Sequence, residues 1–513
     1  MPHDAHRQEA PGKATRRDWI GLAVIAIPCM LYAMDLTVLY LAVPEIVADL
    51  KPSASGLLWI VDIYGFMVAG ALVTMGTLGD RIGRRKVLMI GAAAFAATSI
   101  LAAYSTSAQM LIFARAIQGL AAATLGPSTL SLIRNMFHDA EQRAFAIGLW
   151  VASFSAGAAI GPVFGGMILA HFWWGAVFLI NVPVMLMLLV LGPRYLPEFR
   201  DPNAGRLDIL SAAQSVVAVL GIIYGIKRLA EDGWALWPFV SILIGLAVGA
   251  LFFHRERHLA DPLIDVRLFA VPAFSAALVT NVLGLFMVLG SFLFITQYLQ
   301  LVLGMGPLEA GMWMAPSGIV FALGSMVAPF LVRSIHPSRV IAVGLLLGAI
   351  GFAALTQIAG ATTPWLLLVG MLMFCAGMSP IGAITTDLVM GAAPAERAGA
   401  ASAVSETSFE LGGALGIAVL GSLFTFVYGR ALRGVDLSAL PQAAIDKAKN
   451  GLGGAIDAAR TLSGEEGAQL IATARAAFLH AFEVTSAVSA ICALLAAIFA
   501  IMLLRSATSG DGH

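Results

Sequence analysis

Charge is what this sequence has least of. Of its 513 residues, 12% are charged and 59% hydrophobic, and the mean hydropathy is +0.89. Soluble domains carry about 25% charged residues, so this is an integral membrane protein and the lipid bilayer is its first partner. The 30 basic residues balance the 30 acidic ones. That leaves no basic excess for a nucleic-acid partner. Cysteine is scarce as well. Cys29, Cys375 and Cys492 lie far apart in apolar runs, which provides no metal-ligand spacing and fits small core residues. No lysine is followed by serine or threonine, so there is no Walker A phosphate loop and no sign of an ATP-driven engine. No cofactor, no metal and no enzymatic chemistry are expected.

What the chain does have is long apolar runs. A membrane helix needs about 20 apolar residues, and fourteen runs meet that. They cover about 18–43, 55–78, 87–104, 108–133, 143–169, 173–193, 208–229, 236–254, 273–302, 307–332, 340–358, 363–388, 398–428 and 478–504. The first run is too long for the core of a signal peptide. An even number of spans puts both termini on one side. About 20 of the 30 Lys and Arg fall on that side, whereas the short loops of the other side hold Lys51, Lys227 and Arg228. By the positive-inside rule both termini are cytoplasmic. Residues 1–17 read as a disordered cytoplasmic tail. Segment 429–477 reads as an outer loop with short Ala-rich helices, either a tolerated insertion or a lid.

The polar knot from Gly76 to Leu88 orients the rest. It reads G-T-L-G-D-R-I-G-R-R-K-V-L, with Gly76, Gly79, Asp80, Arg81, Gly83, Arg84, Arg85 and Lys86 between two apolar runs. The fifth run carries G-A-A-I-G-P-V-F-G-G, with Gly157, Gly161, Pro162, Gly165 and Gly166. Small residues four apart let helices approach closely, and proline permits a kink. The first run holds M-D-L-T-V-L-Y-L-A-V-P around Asp35, and the fourth holds R-A-I-Q-G from Arg115. Together these motifs resemble the major facilitator superfamily, in its fourteen-helix drug:proton antiporter branch. The knot is similar to the family's signature loop and the glycine run to its antiporter motif. Asp35, Thr37, Ala42 and Pro44 match the branch's first-helix pattern, and Tyr40 departs from its asparagine.

The resemblance implies an all-α fold of two six-helix bundles with two inserted helices. The corresponding boundaries are a tail 1–17, a first bundle 18–193, an insert with linkers 194–272, and a second bundle 273–513. A weak internal repeat agrees. Glu141 with Arg143, and Glu396 with Arg397, each precede a glycine-rich helix, and 333–339 falls where a second knot would lie. Parallel repeats enclosing a midplane site are a transporter architecture.

Charges inside a bilayer are costly and mark function by default. Five stand out: Asp35, Asp62, Arg115, Glu406 and Glu410. Asp35, Asp62 and Arg115 fall at similar depth by helical rise. Each has a plainer alternative: a structural anchor, a wet helix end, a static ion pair. Arginine stays charged, so Arg115 tunes a carboxylate rather than carrying the proton. Glu406 and Glu410 lie one helical turn apart on one face. Two carboxylates without a base cannot both ionise cheaply in a dry site, so one keeps its proton, as a carrier must. Asp387 reads as interfacial. Tyr32, Met34, Trp59, Tyr64, Phe286, Met287, Phe292, Phe294, Met312 and Trp313 lie near these spans. Some of them can line a cavity for lipophilic cations.

The expected function is proton-coupled export of lipophilic, cationic small molecules across a bacterial cytoplasmic membrane by a monomer. Glu406 and Glu410 would exchange protons, and Asp35 with Asp62 would receive the cation. Gly76, Asp80, Arg81, Gly83 and Arg84 would form an inner gate, with Asp80 facing the start of span thirteen. Within the antiporter motif, Gly157, Gly161 and Gly165 would hold span five against span ten, or its equivalent, and seal against proton leak. Export of a dedicated metabolite, or a non-transporting receptor or scaffold on a transporter fold, are the alternatives.

Overall fold

A computed structural model describes residues 13–200, 208–232, 235–259, 262, 266–358, 364–392, 398–435 and 440–507. Fourteen helices in it are long and apolar enough to cross a membrane. The first six spans are Arg16–Leu50, Ala54–Ile82, Arg84–Ala103, a broken fourth of Ala108–Ala122 and Leu125–Met136, Ala140–His171, and a broken sixth of Ala176–Leu179 and Asn181–Tyr195. The inserted pair is Ile209–Asp232 and Leu236–Glu256. The last six are Pro272–Gln297 continued by a wide turn over Tyr298–Val302, Pro307–Leu331, Pro337–Leu355, Trp365–Ala392, Ala398–Arg433 and Gly464–Ala507. The protein is an all-α membrane chain of two six-helix bundles with two added helices.

Spans meet so closely because small residues line the seams. A Cβ at Gly157 would strike the Met30 carbonyl, one at Gly161 would strike the Thr37 hydroxyl, and one at Gly165 would lie 2.7 Å from Val38. Those three glycines therefore bed span one, not the expected span ten. Span ten is seated by the next face of the same helix. There Gly311 abuts the Pro162 carbonyl, Gly318 abuts Ala159, and Gly166 abuts the Pro307–Leu308 backbone. The motif packs two neighbours because glycine and proline alternate around the helix, baring backbone on two faces.

Helix ends depart from the apolar runs wherever polar residues are bound. Residues 13–17 are ordered, against the expectation of a loose tail. The Thr15 hydroxyl and amide both donate to Asp18, the Ala14 amide donates to Gln142 on span five, and Arg17 donates to the Arg194 carbonyl. The expected disorder of residues 1–12 and the Glu396–Arg397 half of the repeat lie outside the described residues. Lys227 and Arg228 are not loop residues. Both belong to span seven, and Lys227 is buried.

The described residues of segment 429–477, 429–435 and 440–477, fold into a cap on the face away from the start of span one. Span thirteen runs on to Arg433, and span fourteen starts early, at Gly464. Two short helices, Gln442–Lys449 and Leu452–Ala459, lie between them. Leu440, Ala444, Ala448, Leu452, Ala455 and Ala458 are buried in the main core. The Tyr428 hydroxyl donates to the Ala448 carbonyl, and Gly453 sits over Val47 at the end of span one.

The inserted span seven docks across the seam between spans two and thirteen. Phe66, Ile223, Ala414 and Ala418 form a small buried cluster there, with Trp59, Val219, Leu220, Ile226, Leu411 and Leu415 around it. One helix from each bundle and one from the insert thus share a core.

Candidate functional site

The polar knot is built around one arginine. Gly79 leaves room for Arg84, whose side chain lies where a Cβ would be, 2.9 Å from Cδ. Arg84 then folds back one turn to pair with Asp80. Gly83 takes φ +114°, a region side chains rarely adopt, and a Cβ there would lie 2.6 Å from the Glu198 carboxylate. Glu198 accepts from the Arg85 amide at 3.0 Å, and Arg85 donates to the carbonyls of Pro193 and Leu196. The knot therefore clasps the end of span six. Residues 393–397, just before span thirteen, lie outside the described set, and so does the contact expected between Asp80 and that helix start.

Inside the first bundle, Asp35 and Arg115 meet at 2.7 Å, both buried. Asn181 on span six donates to the other Asp35 oxygen at 2.9 Å. Arg115 also donates to Gln118, which donates to Ser99, and Asn181 reaches Ser99 at 3.3 Å. The Arg115 guanidinium lies 4.3 Å from the centre of the Tyr64 ring. Spans four and six thus each supply a donor to the Asp35 carboxylate, and Ser99 on span three braces those donors. The shared depth inferred from helical rise is realised as direct contact for Asp35 and Arg115.

Asp62 belongs to a different group. It faces the insert, and the Lys227 ammonium lies 2.8 Å from both of its oxygens. The same ammonium sits 3.9 Å from the centre of the Trp59 ring. Trp59, Asp62, Phe66 and Gly70 are spaced along the face of span two that meets span seven, where Val216 fills the room left by Gly70.

Glu410 reaches across the bundles. It accepts a 2.6 Å hydrogen bond from the Tyr32 hydroxyl of span one. Tyr32 stands 6.0 Å from Tyr64, ring to ring, so Glu410, Tyr32, Tyr64, Arg115 and Asp35 form a connected row. One turn away, Glu406 faces span four, where a Cβ at Gly126 would lie 3.2 Å from its oxygen. Among the described residues neither glutamate forms an ion pair, and Arg134 acts on Glu406 only through space.

Contacts that join the bundles run from this middle level to the face under the cap. Gly65 abuts Ala414, Gly421 abuts Leu58, and Gln300 donates to the Leu41 carbonyl at 3.1 Å. Of the aromatics singled out, Tyr32, Trp59 and Tyr64 adjoin the charged groups. Phe294 stacks on Phe424, Phe292 meets Phe374 and Trp313 meets Trp365, all as packing. Asp387 is exposed near the end of span twelve. Asn181 and Ser99 escaped the sequence reading, and Lys227 enters it only as a loop charge.

A family model described as Major Facilitator Superfamily matches residues 25–417. The multidrug efflux pump LfrA of Mycolicibacterium smegmatis is 41% identical over 482 residues, 94% of this chain and 95% of that protein. The methyl viologen resistance protein SmvA of Salmonella typhimurium is 34% identical over 476 residues, covering 92% and 95%. In backbone shape the chain is similar to a bacterial homologue of the human lysosomal transporter Spinster, solved inward-facing and unoccupied. The TM-score is 0.68 at 18% identity, covering 97% of this chain and 98% of that one.

Proposed function

Since the chain belongs to the Major Facilitator Superfamily, we propose that it is a proton-coupled antiporter exporting lipophilic cations from a bacterial cytoplasm. Relatives named for multidrug efflux and for methyl viologen resistance support export of such compounds. The observation that carries the mechanism is the Glu410–Tyr32 hydrogen bond between the bundles, with Glu406 one turn away and neither acid in an ion pair among the described residues. An acid without a bound base can exchange a proton; one already neutralised by arginine cannot do so cheaply.

The assignment of roles follows from occupancy. Glu406 and Glu410 take and release protons. Asp35 is fixed by Arg115 and Asn181 as a charged anchor, so a cation reaches it only in competition with Arg115. We place both termini and the knot in the cytoplasm, following the positive loops. The knot residues Gly76, Asp80, Arg81, Gly83 and Arg84 act as the inner gate. The contacts under the cap support a state closed to the outside, from which opening shifts the balance between two arrangements of the bundles.

Purified protein in proteoliposomes tests this. Adding a lipophilic cation such as methyl viologen should drive measurable proton movement, and Glu406→Gln with Glu410→Gln together should abolish it while cation binding persists. Full coupling in that double variant would remove the glutamates from the mechanism. No cation-driven proton movement by the unaltered protein would remove the antiport reading itself.

A further inference from the structure

A carboxylate beside the face of an indole is a recognised way to hold an organic cation. Asp62 and Trp59 make that pair, one turn apart on span two, and something already occupies it. The Lys227 ammonium lies 2.8 Å from the acid and 3.9 Å from the ring centre. The lysine arrives from outside either bundle, on span seven, whose other side turns Val217 and Tyr224 outward. Beside the acid lies the apolar cluster of Phe66, Ile223, Ala414 and Leu411, which suits the hydrocarbon part of an amphipathic cation.

The geometry points to Asp62 and Trp59 as a cation site that the chain fills with its own Lys227, an internal stand-in that a transported organic cation displaces. The inference rests on the proposed substrate class, and it adds a competitor built into the insert. Displacement leaves the lysine somewhere to go. Lys227 lies about 7 Å along span seven from its end at Asp232, and a long lysine stem lets the ammonium swing toward the polar boundary. A buried pair that served only to fasten the insert would need neither an aromatic face nor an apolar lining beside it.

Removing the acid alone would strand a buried ammonium and risk the fold, so the test removes the lysine. Lys227→Ala is compared with the unaltered protein and with Asp62→Asn/Lys227→Ala. Two probes are used, n-propylammonium, which carries the three carbons and the ammonium that the substitution removes, and tetraphenylphosphonium, a lipophilic cation. Propylammonium should raise the thermal unfolding temperature of Lys227→Ala and have no effect on the other two proteins. Tetraphenylphosphonium should bind Lys227→Ala about tenfold more tightly than the unaltered protein, since an occupying competitor has been removed, and the double variant should lose that gain. No response to propylammonium would show that the pair is not a cation site. A propylammonium response with unchanged tetraphenylphosphonium affinity would leave a fastening pair and overturn the substrate claim. Neither readout involves protons, so the inference and the antiport reading can fail separately.

Discussion

Asp35 and Glu410 stand at opposite ends of one row of side chains, and the protein treats them in opposite ways. Asp35 is enclosed within a single bundle, with a base on one oxygen and an amide on the other. Glu410 is held by one phenol that belongs to the other bundle. The first arrangement gives each Asp35 oxygen a donor from its own bundle and needs no motion to persist. The second depends on how the bundles sit, because its donor and acceptor lie on opposite sides of the seam. On the proposed mechanism, the anchoring acid is satisfied within one bundle, and the exchanging acid is satisfied across the boundary between the two.

The sharpest way to break that comparison is to make Asp35 resemble Glu410. Arg115→Met leaves a buried carboxylate without its base, which should cost about 3–5 kcal/mol. We expect poor yield and a large fall in unfolding temperature in detergent. Asp35→Asn/Arg115→Met should recover most of it, and a double variant as unstable as the single one would show that the pair is not what holds these spans.

A smaller change sharpens the other end. Tyr32→Phe removes one hydrogen bond to a carboxylate and keeps the ring, so the loss is about 1.5–3 kcal/mol at most. Its effect should fall on the pH dependence of cation-driven proton movement, shifting the profile while cation affinity stays within about twofold. An unchanged profile would detach Tyr32 from the exchange at Glu410.

The smallest effect concerns a paired acid outside the spans. Asp208 accepts from Arg255 at 2.8 Å and caps span seven through the Leu210 and Ser211 amides. The Arg255 guanidinium holds its carboxyl down at about 2. A depressed acid contributes stability above the ordinary carboxylate range of about 4 and loses it as pH falls toward 2. Asp208→Asn should cost about 1 kcal/mol or less near neutrality. The difference from the unaltered protein should vanish in acid, which thermal unfolding at several pH values would show.

Much of this was legible in the residues, for reasons that differ from place to place. Spans follow from bilayer thickness, so their number needed no contacts. Asp35 and Arg115 share a depth because each sits a set number of helical rises from its own loop, and depth alone nearly implied their pairing. Asp62 shared that depth too, yet it turned to the insert. Which way a side chain points around a helix depends on what packs there, and Lys227 had been counted with a loop. The three antiporter-motif glycines misled in the same way, since GxxxG announces close approach and does not say to which neighbour. The cap was foreseen as helices but not as core, because Ala-rich turns carry no mark of what they will cover.

The cap has one further consequence. It is rooted in spans thirteen and fourteen by its chain ends, and it rests on the end of span one through Gly453 and Val47. On the proposed orientation that places a ridge of folded protein, outside the cell, across the line along which the bundles must part. A pump of this build can be restrained by something that never enters the membrane or competes with a drug. A binder that grips Gln442–Lys449 together with the loop around Lys51 would hold the halves together from outside, and a dye on the same ridge would report each opening.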